Sequence, residues 1–187
     1  MILDANTAQL VDAFARGQVL AYPTEAVFGL GCDPLNEKAV MQILNLKNRP
    51  LEKGVILIAS NMSQLLPFAD FSQLDDKIRV MVDKSWPGPN TWLIPKLPST
   101  PDFLTGGSEL IAVRVSAHPV VKTLCENVNS ALVSTSANLS GEEPARTQSE
   151  IIDQFGDQVV CVEGEVGQQA NPSQIRHGIT GEIIRAS

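Results

Sequence analysis

Residues 46–59 read LKNRPLEKGVILIA, a polar, cationic passage that turns without a linker into an unbroken apolar run. Upstream, Asn36 can cap a helix whose apolar residues Ala39, Val40, Ile43 and Leu44 fall at helical spacing. That places Lys47 in the last turn, where a cation is favoured. Pro50 disfavours helical geometry at Arg49 and turns the chain. Val55-Ile56-Leu57-Ile58, bounded by Gly54 and Ser60, has the pattern of a strand buried on both faces. Helix, cationic lip and doubly buried strand together predict an α/β layer with Lys47, Arg49 and Lys53 at its mouth.

Those three cations fall within seven residues of a chain that holds only 14 Lys and Arg and carries a net charge of −7. One reading is a solvated helix end whose lysines complement the dipole. The other is a local site for a specific anion, and a second polar cluster, STSANLSG at 134–141, favours it. Five small hydrogen-bonding side chains directly after the strand Ala131-Leu132-Val133 could bond only to their own turn. They are also the neutral donors that complete a phosphate or ribose site when positive charge arrives from elsewhere.

Composition narrows the classes. At 187 residues the chain suits a single domain, 1–187, able to bury a substantial core. Its 43% hydrophobic and 19% charged residues are ordinary for a globular protein. No apolar run has the length of a membrane helix, and MILDANTAQL carries Asp4 and no basic region, so a cytoplasmic protein without a signal peptide is expected. Cys32, Cys125 and Cys161 are odd in number and far apart, which encodes neither a disulfide framework nor a metal site. A pI near 4.8 argues against nonspecific nucleic-acid binding by the whole surface.

Along the chain, Asn6 or Thr7 caps a first helix carrying Leu10, Val11 and Phe14 and ending near Gly17. Val19 to Tyr22 reads as a strand running into PTEAVFGLGCD, where Pro23, Gly29 and Gly31 break regular structure. Thr24 and Glu25 stand at that strand's end, where open α/β sheets usually bind ligands. A turn hydroxyl bonded to backbone is the alternative for Thr24. Residues 62–69 and 72–84 look helical, 86–90 form a stiff turn, and Thr91 to Ile94 a strand. Residues 96–108 are the longest irregular segment, a lid or a plain connection.

Leu110 to Val115 is a strand interrupted by Arg114, which is either paired with an internal acid or presents its fork to an anionic ligand. A helix follows at 118–128, with His118 as a helix-start or packing residue. A helix at 147–155 and a strand at 159–162 come next, then turns and two short strands, with Ser173 after Asn171-Pro172 and Arg185 in the final strand. The alternation indicates a mixed sheet flanked by helices.

No phosphate-loop, dinucleotide or hydrolase-elbow motif is present, and two histidines assemble no convincing triad. Cations, hydroxyls and one amide bind and orient, which suits transfer at phosphorus, where alignment and charge stabilisation supply most of the catalysis.

PTEAVFGLGCD, Lys47-x-Arg49 with Pro50, AVRV around Arg114, STSANLSG and NPSQI, in this order, resemble the YrdC family of threonylcarbamoyl-AMP synthases, the TsaC type. The resemblance implies a twisted α/β fold with a large, concave, positively charged cleft. It implies the conversion of L-threonine, bicarbonate or CO2, and ATP into L-threonylcarbamoyladenylate and pyrophosphate, with magnesium carried by the nucleotide. The product would serve N6-threonylcarbamoyladenosine formation in tRNAs reading codons that begin with A, through downstream threonylcarbamoyl-transfer proteins. By the same resemblance Lys47, Arg49 and Lys53 would engage the phosphates, completed by Ser136 and Asn138, with Arg185 on the nucleotide side. Thr24, Arg114, Ser134 and Ser173 would hold threonine. Some relatives have Thr where this chain has Ala26, Tyr for Phe28, Asn for Lys53, and His near Ile58. The rival expectation is an RNA-binding module, for duplex RNA, tRNA or a ribosomal precursor, that performs no chemistry.

Overall fold

The structure, a computed structural model, describes residues 1–186. Its elements are β1 (Ile2–Leu3), α1 (Ala8–Ala15), β2 (Leu20–Pro23), β3 (Phe28–Gly31), α2 (Glu37–Leu46), β4 (Ile56–Ala59), α3 (Asp76–Ser85), β5 (Asn90–Pro95), α4 (Asp102–Thr105), β6 (Leu110–Val115), α5 (Pro119–Asn127), β7 (Leu132–Ser136), α6 (Gln148–Phe155), β8 (Val160–Val162), β9 (Gln174–His177) and β10 (Ile183–Arg185). They build the expected mixed sheet, in the order β1-β8-β2-β3-β7-β4-β6-β5-β9-β10. The pairs β4·β6, β5·β9 and β2·β8 are parallel, whereas β3·β7, β4·β7 and β5·β6 are antiparallel.

Strand β4 shows why an unbroken apolar run decided the architecture. Leu57 and Ile58 are both fully buried but point to opposite faces. Leu57 joins the core formed with α2, α3 and α6, and Ile58 the core formed with α1 and α5. Each such burial stabilises the fold by roughly 1.5–3 kcal/mol.

Four local expectations change. PTEAVFGLGCD was expected to break regular structure, yet Phe28–Gly31 forms β3, paired residue for residue with β2 from Pro23↔Phe28 to Leu20↔Gly31. Its glycines permit close approach: a Cβ on Gly31 would stand 2.1 Å from the Val133 carbonyl oxygen and 2.7 Å from the Tyr22 ring. Residues 62–69, expected helical, form a 3-10 turn at Met62–Gln64 and further turns. The helix expected over 72–84 starts later, at Asp76, because Asp75 caps it by accepting from the Ile78 amide. The irregular segment 96–108 contains the short α4.

At the end of α2, Asn48 adopts a left-handed conformation, φ +48°. The Arg49 amide donates to the Leu44 carbonyl at 2.9 Å and the Asn48 amide to that of Asn45 at 3.1 Å, the paired bonds of a Schellman cap. This cap, before Pro50 acts, turns the chain so that Lys47 and Arg49 leave the helix toward β4 and β7.

Candidate active site

The hydroxyl-rich run is longer as a strand than expected: β7 extends through Ser134 to Ser136. Ser134 lies opposite Ile56 of β4, and Ser136 opposite Gly29 of β3. A cavity of about 180 Å³ opens over this part of the sheet. Thr24, Arg49, Arg114, Ser134, Ser136, Ser173 and Arg185 all line it, together with Gly29, Val55 and Ile56. Six segments that are distant in the chain therefore converge on one space.

Lys47 is not among the residues that line the cavity. Its buried ammonium donates to the Ser136 carbonyl and, at 2.9 Å each, to the Asn138 carbonyl and Oδ1. Ser136 Oγ donates to the same Oδ1 at 2.6 Å, and Asn138 Nδ2 reaches the Leu139 and Glu142 carbonyls. All three ammonium protons are thus spent on the tip of the hydroxyl run. Burial, with Arg49 adding repulsion, pushes Lys47 down to about 8.

Arg49 is fixed from behind: Nε and Nη2 donate to the Gly54 carbonyl at 3.3 and 3.0 Å, and Nη2 to that of Lys53 at 3.3 Å. Arg185 extends from the last strand, where Nη2 donates to the Ser173 carbonyl at 2.7 Å. Burial lowers both arginines; the next cause is Arg185 for Arg49 and Arg114 for Arg185. The three guanidiniums border one cavity and raise its local positive charge. Lys53, by contrast, is exposed in the 3-10 turn Leu51–Lys53 and is not among the lining residues.

Arg114 is paired with an internal acid, the first of the two readings offered for it. Its Nη2 lies 3.2 Å from Glu25 Oε2, and both side chains are nearly buried. The guanidinium also lines the cavity. Thr24 Oγ1 donates to the Val27 carbonyl at 2.7 Å, the turn bond its alternative reading required, while the residue still borders the cavity. Ser173 shares a 2.8 Å bond with Thr91 Oγ1. His118 stands at the start of α5, with Nε2 3.0 Å from the Glu165 carbonyl, and is a packing residue.

Sequence reasoning missed Arg146. Its Nη1 donates to the Ala26 carbonyl at 3.1 Å and its Nη2 to that of Ala170 at 2.9 Å, tying the loop after β2 to the segment before Pro172. No local pattern marks it, because both acceptors are backbone atoms far along the chain. Among the described residues no group of three or more His, Cys, Asp or Glu could hold a metal, and no helix is long and apolar enough to cross a membrane.

The Sua5/YciO/YrdC family model, described as "Telomere recombination", matches residues 12–187. A threonylcarbamoyl-AMP synthase of Enterobacter sp. is 53% identical over 180 residues, covering 96% of this chain and 95% of the relative. One from Pseudoalteromonas atlantica is 53% identical over 172 residues, covering 92% of each. P. abyssi Sua5 complexed with L-threonine superposes with a TM-score of 0.85 at 27% identity over 95% of this chain, which spans 54% of that longer one. E. coli YciO, at 24% identity and a TM-score of 0.79, shares the fold over 100% of this chain. On sequence and architecture alike, the chain belongs to the Sua5/YciO/YrdC family.

Proposed function

We propose that this enzyme is a threonylcarbamoyl-AMP synthase that joins L-threonine, bicarbonate or CO2, and ATP, and that it acts as a nucleotidyltransferase. The observation that carries the reading is the convergence of Arg49, Arg114 and Arg185 with Ser134 and Ser136 on one cavity. About half identity to threonylcarbamoyl-AMP synthases over nearly the full length supports it.

In this reading the amino acid's amine adds CO2 to form a carbamate, and a carbamate oxygen attacks the α-phosphorus of ATP as the bond to pyrophosphate breaks. Arg49 and Arg185 neutralise the phosphates. Lys47 holds Ser136 and Asn138 in place and adds its charge. Lys53, at the rim, attracts the nucleotide without enclosing it. Arg114 receives the threonine carboxylate by its fork, with Thr24, Ser134 and Ser173 around the rest of the amino acid. No protein nucleophile is required.

Magnesium enters as part of the nucleotide. Glu25, the partner of the cavity-lining Arg114, is also engaged by Ser116 and Ala117 and is not a free ligand. The adenylate would pass to proteins that complete N6-threonylcarbamoyladenosine in tRNA. The rival RNA-binding module has less support, since the guanidiniums face inward on a small cavity with no aromatic platform beyond Phe28. The test is pyrophosphate release with each substrate omitted in turn: release that needs all three supports the synthase, and RNA affinity without turnover would replace it.

A further inference from the structure

Arg114 is nearly buried, lines the cavity, and among the described residues has a single polar partner, Glu25. Its remaining donors are unspent. Glu25 does not line the cavity; it stands behind the arginine.

The carboxylate is held more firmly than the arginine it faces. Glu25 Oε1 accepts from Ser116 Oγ at 2.8 Å and from the Ala117 amide at 3.1 Å, just past the end of β6. Its backbone carbonyl accepts from the Gln169 amide at 3.0 Å, and the Thr24 carbonyl from the Gly167 amide at 2.9 Å. The loop after β2, the end of β6 and the segment before Pro172 therefore all fix one carboxylate. Only Oε2, which makes no hydrogen bond of good geometry, is left to the guanidinium.

A long guanidinium arm loses rotamer freedom when it grips an anion, and fixing it beforehand removes that cost from binding. A carboxylate behind the arginine also offsets the repulsion among three cations around an empty cavity. We propose that Glu25 is the positioning residue for amino-acid binding: it ties back one end of the Arg114 fork so that the free donors meet the substrate carboxylate. This rests on the assignment of Arg114 to threonine made above.

The experiment is calorimetric titration of the whole protein with L-threonine and, separately, with ATP. Glu25→Gln keeps the size and the Ser116 and Ala117 bonds to Oε1 but removes the charge and turns an amide NH2 toward Arg114 in place of Oε2. It is expected to weaken threonine about tenfold while ATP changes less than about twofold. In an Arg114→Gln background it should change threonine affinity no further, because the arm it positions is gone. Ser116→Ala, a milder disturbance of the same carboxylate, should weaken threonine alone by a few fold, and it serves if Glu25→Gln does not fold. Equal loss of both ligands, or an undiminished effect without Arg114, would reduce Glu25 to a structural residue. Unchanged threonine binding in Glu25→Gln would overturn the positioning role and leave the synthase reading standing. A wild-type protein that binds no threonine would remove that reading as well.

Discussion

Lys47 Nζ donates to Asn138 Oδ1 across 2.9 Å, joining residues 91 apart in sequence, and the same oxygen accepts from Ser136 Oγ at 2.6 Å. The cationic lip and the hydroxyl-rich tip are thus one bonded unit. Lys47→Met should lower pyrophosphate release by about a hundredfold or more, the scale of losing a charge-stabilising donor. Because Lys47 and Asn138 share the bond, Lys47→Met combined with Asn138→Ala should cost clearly less than the two separately. Steady-state rates for the four proteins check this, and strict additivity would show that the bond has no part in turnover.

The same lysine sets a pH limit. Burial, with Arg49 behind it, pushes Lys47 down to about 8, so its cation is complete below that pH and is lost as pH rises through it. Activity should therefore decline on the alkaline side near pH 8. Lys47→Arg, which stays charged, should move that decline upward even if its maximal rate is lower.

Glu25 titrates in the opposite sense. Burial raises its carboxyl, but Arg114, the Ser116 hydroxyl and backbone amides outweigh burial and hold it below 4.5. A depressed acid stabilises the fold above its unfolded value and loses that contribution as pH falls through the folded one. Arg114→Met removes the largest of the causes that lower the Glu25 carboxyl, which should therefore rise. The variant's stability deficit should be greatest near neutrality and shrink in acid; urea unfolding at several pH values, with carboxyl NMR, measures both.

Gly54 underlies Arg49. Its φ of +57° is open mainly to glycine, and a Cβ there would lie 3.1 Å from the Leu104 carbonyl oxygen and from Thr105. Its own carbonyl is the acceptor that orients the Arg49 guanidinium. Gly54→Ala should destabilise the fold by about 1–3 kcal/mol and weaken ATP more than threonine. Thermal unfolding with the two titrations would show it.

How far the sequence led can be traced residue by residue. The run at 55–58 disclosed a strand buried on both faces because no solvated face interrupts it, and Asn36 caps α2 as its position suggested, accepting from the Ala39 amide at 3.1 Å. Strand β3 was hidden because Gly29 and Gly31 read as breakers, whereas close approach to β2 and β7 is what they provide. Arg114 was legible as an arginine needing a partner, but not Glu25 as that partner, since only the folded sheet brings the end of β2 beside the end of β6. Lys47 was legible as one of a cluster of cations; that every one of its protons is committed to Ser136 and Asn138 depends on how far β7 continues.

Arg49, Arg185 and the Ser136–Asn138 tip are expected to act on one polyanion. The most direct measurement is the dissociation constant for ATP of Arg49→Ala and Ser136→Ala beside the wild type, with unfolding temperature recorded for each. We expect affinity to fall at least about tenfold in Arg49→Ala and by a smaller factor in Ser136→Ala, with native unfolding temperatures. Wild-type ATP affinity in both variants would contradict it.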